Sequence, residues 1–110
     1  MSVACRFHLH GHVFWILGTG DGDYVPGASQ FNTVNPPRRD TLTIPGYGWA
    51  GIRFITDNPG LWAFHCHIGW HMAAGLLMQF ASLPNEIQQF QIPSYLTEQC
   101  GQQSGGLLIN

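Results

Sequence analysis

Lysine is absent from this sequence. Its four basic residues are all arginines, only Arg38 and Arg39 adjoin, and the net charge is −2. Without a basic stripe, no nucleic-acid partner is expected. Long apolar runs are missing as well; the longest last a few residues, far short of the roughly 20 that cross a bilayer, so no membrane partner is expected either. The opening stretch MSVACRFHLHGH has no apolar segment ahead of its histidines and does not read as a secretion signal. There is no C-x-x-C pair, which disfavours structural zinc. The three cysteines, Cys5, Cys66 and Cys100, are an odd number, so at least one lies outside any internal disulfide. Charged residues make up only 9% of the chain, against roughly a quarter in ordinary soluble domains, so much of the surface is expected to be apolar, glycine-rich or covered.

What is present is histidine in a tight pattern. His65, Cys66, His67 and His71 fall within seven residues of a chain that has six histidines in all. A second run, His8, His10 and His12, sits in FHLHGHVFWIL, whose aromatic and branched residues predict one strand over 7–17 with the three histidines on one side. Further short strands are predicted at TLTIP, WAGIRFIT, LWAFHCH and LLMQFAS, with tight turns at GYG and DNPG. GTGDGDYVPGASQFNTVNPPRRD reads as a long surface loop in which Arg39 and Asp40 pair locally, and WHMAAG as a loop with one helical turn. A short helix is expected near the end of NEIQQFQIPSYLTEQC with Ser94 as its cap, followed by a loose tail. The sum is an all-β sandwich or barrel with a short C-terminal helix. Residues 1–6 form an atypical N-terminal segment, 7–84 the domain, and 85–110 an extension and tail.

A strand ending in HCH sends His65 and His67 to one face and Cys66 to the other. On the cysteine side, a loop can return His71 to the sulfur, and a thiolate with imidazoles and a weak axial ligand is the donor set of a blue-copper electron-transfer site. On the other side, His65 and His67 can meet His8 and His10, and neutral imidazoles suit copper, zinc or iron. A lone His-x-His is most often a surface pair; two such pairs with a cysteine at the centre of one are hard to explain by packing. His12 adds no spacing of its own and reads as structural. Met72 and Met78 read as gap fillers, and Trp62 and Trp70 as flanking residues that dry the site.

HLHGH followed by HCHIGWHMAAGL resembles the C-terminal copper signatures of the multicopper oxidases, most closely fungal laccases, and NPPRRD, TDNPG and QIPSYLTEQC look like the ascomycete type. The resemblance covers about residues 7 to 100. It implies the third, plastocyanin-like domain of a three-domain enzyme, an incomplete cupredoxin-like Greek-key sandwich. It also implies up to four copper ions in the complete enzyme and fewer here. His8 looks like a type 2 copper ligand, and His10, His65 and His67 like type 3 ligands. Cys66 and His71 look like type 1 ligands where electrons enter. The axial position falls on Leu76, which has no donor atom, so a raised potential is expected. The implied activity is one-electron oxidation of diphenols or similar small donors, with dioxygen reduced to water. Family members are usually secreted.

Three departures from the family pattern stand out. Cys5 occupies the place of a second type 1 histidine. Only four of the eight trinuclear-cluster histidines are here, the rest belonging to an N-terminal domain, and the early strands of the sandwich would precede residue 7. Cys100 resembles a cysteine that bridges to that first domain. The expectation is therefore a fragment, inactive as an isolated chain. The rival reading is a non-catalytic, cupin-like module holding one ion through His8, His10, His65 and His67.

Overall fold

A computed structural model describes residues 4–28 and 30–103. Among these residues, stretches rich in branched and aromatic side chains build seven strands in two antiparallel sheets. One sheet contains β1 (Cys5–Leu9), β4 (Thr41–Ile44), β6 (Gly60–Cys66) and β7 (Leu77–Ser82), in the order β4-β1-β6-β7. The other contains β2 (Phe14–Asp21), β3 (Arg38–Arg39) and β5 (Gly48–Phe54), in the order β3-β2-β5. Among the described residues there are also three short helices: α1 (Gly69–Ala73) lies between β6 and β7, and α2 (Pro84–Ile87) and α3 (Ser94–Gln103) lie beyond β7. The sheets face each other across Leu9, Phe14 and Leu42, with Phe7, Ile16, Ile44, Ile52, Phe54, Trp62, Phe64 and Phe80 packed around them. Leu9 and Phe14 are fully buried. Each side chain of that size, taken out of water, stabilises the fold by roughly 1.5–3 kcal/mol.

The stretch 7–17, expected as one strand, is two strands in different sheets. The chain leaves β1 after Leu9, turns through His10 and Gly11, and enters β2 at Phe14. Gly11 makes the turn possible. Its φ of +66° lies in the left-handed region, and a Cβ there would stand 2.3 Å from the indole of Trp62. Trp62 Nε1 donates to the Asn58 carbonyl, and Asn58 Nδ2 donates to the Gly11 carbonyl, each at 2.9 Å. The indole is thus pinned on the core-facing side of β6 under the turn, away from the site it was expected to dry. The turn also takes His12 out of line with His8 and His10. His12 is buried between Phe54 and Trp62, and its Nδ1 donates to the His10 carbonyl at 3.3 Å.

Other boundaries move less. The first four residues of the expected long loop extend β2, and Arg38 and Arg39 pair with Trp15 and Phe14. The Arg38 guanidinium lies 5.0 Å from the Trp15 ring centroid, and Arg39 donates to the Arg38 carbonyl in place of the expected Asp40. α3 includes Ser94, the expected cap, as its first residue and takes in Gly101–Gln103, the start of the expected tail. Residues 104–110 of that tail, and residues 1–3, lie outside the described residues. Cys5 and Arg6, set apart in the sequence, are the first rungs of β1, opposite Ile44 and Thr43.

Candidate metal centre

The pairing of β1 with β6 positions the site. Phe7 stands opposite Cys66, His8 opposite His65 and Leu9 opposite Phe64. Phe7, Leu9, Phe64 and Cys66 therefore face the core, while His8 and His65 face outward. Two hydrogen bonds continue the ladder at its ends, from His10 N to the Ala63 carbonyl at 2.9 Å and from His67 N to the Arg6 carbonyl at 2.6 Å. This sets His10 diagonal to His65, and His67 diagonal to His8.

Four imidazoles gather on that outer face, as the sequence predicted. Ring centroids are 4.8 Å apart for His8 and His10, 5.1 Å for His10 and His65, 5.6 Å for His65 and His67, and 6.3 Å for His8 and His67. His8 Nδ1 donates to the Asp40 carbonyl at 2.9 Å, with Thr41 Oγ1 at 3.1 Å. His65 Nδ1 donates to the Cys66 carbonyl at 3.1 Å. In a neutral ring, a proton on Nδ1 leaves Nε2 as a bare lone pair, the tautomer that ligates a metal. His10 Nε2 and His65 Nε2 face each other at 2.9 Å, close enough for one ion with metal–imidazole bonds of about 2.0–2.1 Å to touch both. The His10 imidazole is held below the usual histidine value, first by desolvation and then by His8, His65 and His67. Crowding thus disfavours protonation and keeps donor nitrogens available. This face fits copper.

The opposite side of the same strands is built from sulfur. Cys66 is fully buried and is joined to Cys5 by a disulfide across 61 residues, with Cα atoms 5.9 Å apart. His71, carried on α1, points Nδ1 at both sulfurs, 3.3 Å from Cys5 Sγ and 3.5 Å from Cys66 Sγ. The loop is tied down by Leu76 N donating to the His71 carbonyl and Cys66 N to the Leu76 carbonyl, both at 3.0 Å. Leu76, on the expected axial position, is 44% exposed and lines a shallow hollow with Phe7, Phe64 and Met78. Trp70 meets the His71 ring edge-on at 3.8 Å but is itself 67% exposed, and Met72 and Met78 are exposed rather than filling a core gap.

This donor set does not fit blue copper. That site needs one thiolate and two imidazoles; here there is one imidazole, and Cys66, the expected thiolate ligand, is bonded to a second sulfur. The sequence brought Cys66 and His71 together, and the resemblance put Cys5 at a ligand position beside them; the bond between Cys5 and Cys66 was not expected. The only available signal was a cysteine where the family pattern has histidine. A search for C-x-x-C spacing cannot find a pair that the fold makes from opposite ends of two strands.

Comparison with known proteins bears on the family and the fold. The multicopper oxidase family profile matches residues 6–86. L-ascorbate oxidase of Brassica rapa subsp. pekinensis is 49% identical over 83 residues, 74% of this chain and 15% of that protein. Laccase-1 of Botryotinia fuckeliana is 50% identical over 80 residues, 73% of this chain and 14% of its own length. The structure of Fet3p, a multicopper oxidase that functions in iron import, superposes with a TM-score of 0.80 at 31% identity, over 94% of this chain and 22% of Fet3p. The chain thus spans about a seventh of the curated relatives it matches. These neighbours share the cupredoxin-like sandwich and disfavour the cupin-like alternative.

Proposed function

The chain belongs to the multicopper oxidase family, oxidoreductases whose cofactor is copper, and from that premise we propose that it supplies the C-terminal copper-binding face of a laccase-like enzyme. His8 serves the type 2 copper, and His10, His65 and His67 serve type 3 copper. Bound there, copper supplies one-electron chemistry that couples oxidation of small phenolic donors to reduction of dioxygen to water. The chain's own residues orient the imidazoles. The Asp40 carbonyl and Thr41 hold His8, the Cys66 carbonyl holds His65, and the β1–β6 ladder sets the spacing. Cys66, His71 and the non-coordinating Leu76 stand where the resemblance puts electron entry, but with Cys5 as their third neighbour they do not fit blue copper, and no step is assigned to them.

The observation that carries this reading is the convergence of four imidazoles on one outward face, two of them flanking Cys66 in sequence. Laccase relatives support phenols as donors, and the motifs NPPRRD and TDNPG point the same way. Four histidines make half a trinuclear cluster, so the isolated chain is inactive and its partner is the remainder of the enzyme, which we place outside the cell. The test loads the 110-residue chain with copper(II) and compares it with the double variant His8→Ala/His10→Ala. Copper is expected on the parent, lost from the variant, with no phenol oxidation by either under air. Equal copper on both would overturn the site, and turnover near the enzymatic norm of about 10 per second would overturn the inactivity.

A further inference from the structure

The sulfur end has chemistry of its own. Cys5 Sγ, Cys66 Sγ and His71 Nδ1 all lie within 4.8 Å of one another, the reach of three donors on one ion. Two thiolates and an imidazole are a soft set, suited to the closed-shell ions copper(I) and zinc(II) rather than to copper(II). We infer that Cys5, Cys66 and His71 form a redox-gated site for such a soft ion, open when the Cys5–Cys66 bond is reduced and shut when it is formed.

The fold supports both states with little motion. β1 is hydrogen-bonded on both sides, to β4 and β6, so the two sulfur-bearing strands remain adjacent when the covalent bond is cut. α1 presents His71 to both sulfurs already, and its position is fixed by backbone bonds to Leu76 rather than by the disulfide. Cys66 is sealed in the interior, whereas Cys5 is half-buried at the strand end.

Opening consumes two electrons and two protons. The sulfur–sulfur bond breaks, each sulfur becomes a thiol, and a dithiol reductant is oxidised to its own disulfide. Binding of zinc(II) or copper(I) then displaces both thiol protons into solvent. Copper(II) closes the gate instead: two ions each accept one electron, the sulfurs rejoin and two protons leave. The bound ion takes over the cross-link that the disulfide had made, because it holds the same two strands through the same two atoms.

The experiment reads the sulfurs directly, so its outcome is separable from copper on the histidine face. The full chain is reduced anaerobically, freed of reductant, and alkylated with and without zinc(II) or copper(I), with peptide mapping by mass spectrometry. Either ion is expected to slow alkylation of both Cys5 and Cys66 about tenfold or more, and the air-oxidised chain is expected to show neither cysteine free. Equal alkylation rates with and without ion would overturn the site, and finding Cys5 and Cys66 as free thiols after air oxidation would overturn the gate. A second arm uses Cys5→His, which converts the set to one thiolate and two imidazoles. It is expected to gain a lasting, intense thiolate-to-copper(II) band that the parent lacks, and the same band in the reduced parent would overturn the inference. Should the variant not fold, the alkylation arm decides alone.

Discussion

The two faces of β6 make an instructive pair. Facing out, His65 joins three other imidazoles; facing in, one residue along, Cys66 joins Cys5 and His71. Both clusters are placed by the same hydrogen bonds, yet the outer one gathers four imidazoles and the inner one two sulfurs and a single imidazole. Backbone register therefore delivers residues to a site without deciding what the site binds. That decision rests on single side chains: with a sulfur at position 5 the inner cluster offers a softer donor set than one thiolate with two imidazoles.

The largest effect should come from breaking what both faces share. Gly11→Ala forces a left-handed residue and a methyl into the Trp62 ring, costing about 2–5 kcal/mol of strain and overpacking. Denaturant unfolding should show the loss, with copper retention on the outer face falling because the turn carries His10. Next comes a change confined to the inner face. Cys5→Ser removes the cross-link spanning 61 residues and is expected to cost about 2–4 kcal/mol, while copper bound through the four histidines stays unchanged. A parallel loss of copper would show that the faces are coupled.

The third change is confined to the outer face. Thr41→Val withdraws the hydroxyl 3.1 Å from His8 Nδ1 and should weaken copper binding about tenfold by competition with a chelator. Reactivity of Cys5 and Cys66 should not move. The smallest effect is in the titration of His10 in the metal-free chain. Its pKa is lowered by desolvation and by His8, His65 and His67, so its NMR midpoint should lie below the free-histidine value of about 6.5. The sign follows by linkage: above that value the ring is neutral folded or unfolded, and it contributes nothing. As the pH falls below it, the unfolded chain takes the proton first and the fold loses stability. His67→Ala should move the midpoint back toward the free value.

Much of this was legible before any coordinates. Alternation in HLH and HCH predicted the division of His65 and His67 from Cys66, because a strand leaves no other choice. The strands at TLTI, WAGIRF, LWAFHC and LMQFAS appear where their branched and aromatic residues put them. The Phe7–Leu17 stretch misled because both halves have strand composition; only Gly11 marks the break, and a single glycine also fits a strand with a bulge. His12 followed that error onto the wrong face. The Cys5–Cys66 bond was not legible from the residues themselves for a different reason: it depends on which strand lies beside which, and β1 pairs with β6 only after the chain has crossed between the sheets. Likewise, nothing local to His8 announces that its partners are Asp40 and Thr41, which arrive on the other flank of β1.

The unbroken ladder from His67 through His10 has one more consequence. The spacing of the imidazoles is set by backbone hydrogen bonds, so folding can place this face before any metal arrives. Metal delivery becomes a late step, like fitting a lens into a finished mount. A chain paired one residue out of step would turn its histidines toward Leu42 and Phe14 and its phenylalanines toward water. Such a chain would fail as a fold long before it could fail as a cofactor carrier, and faulty copies would be discarded without a single ion being spent on them.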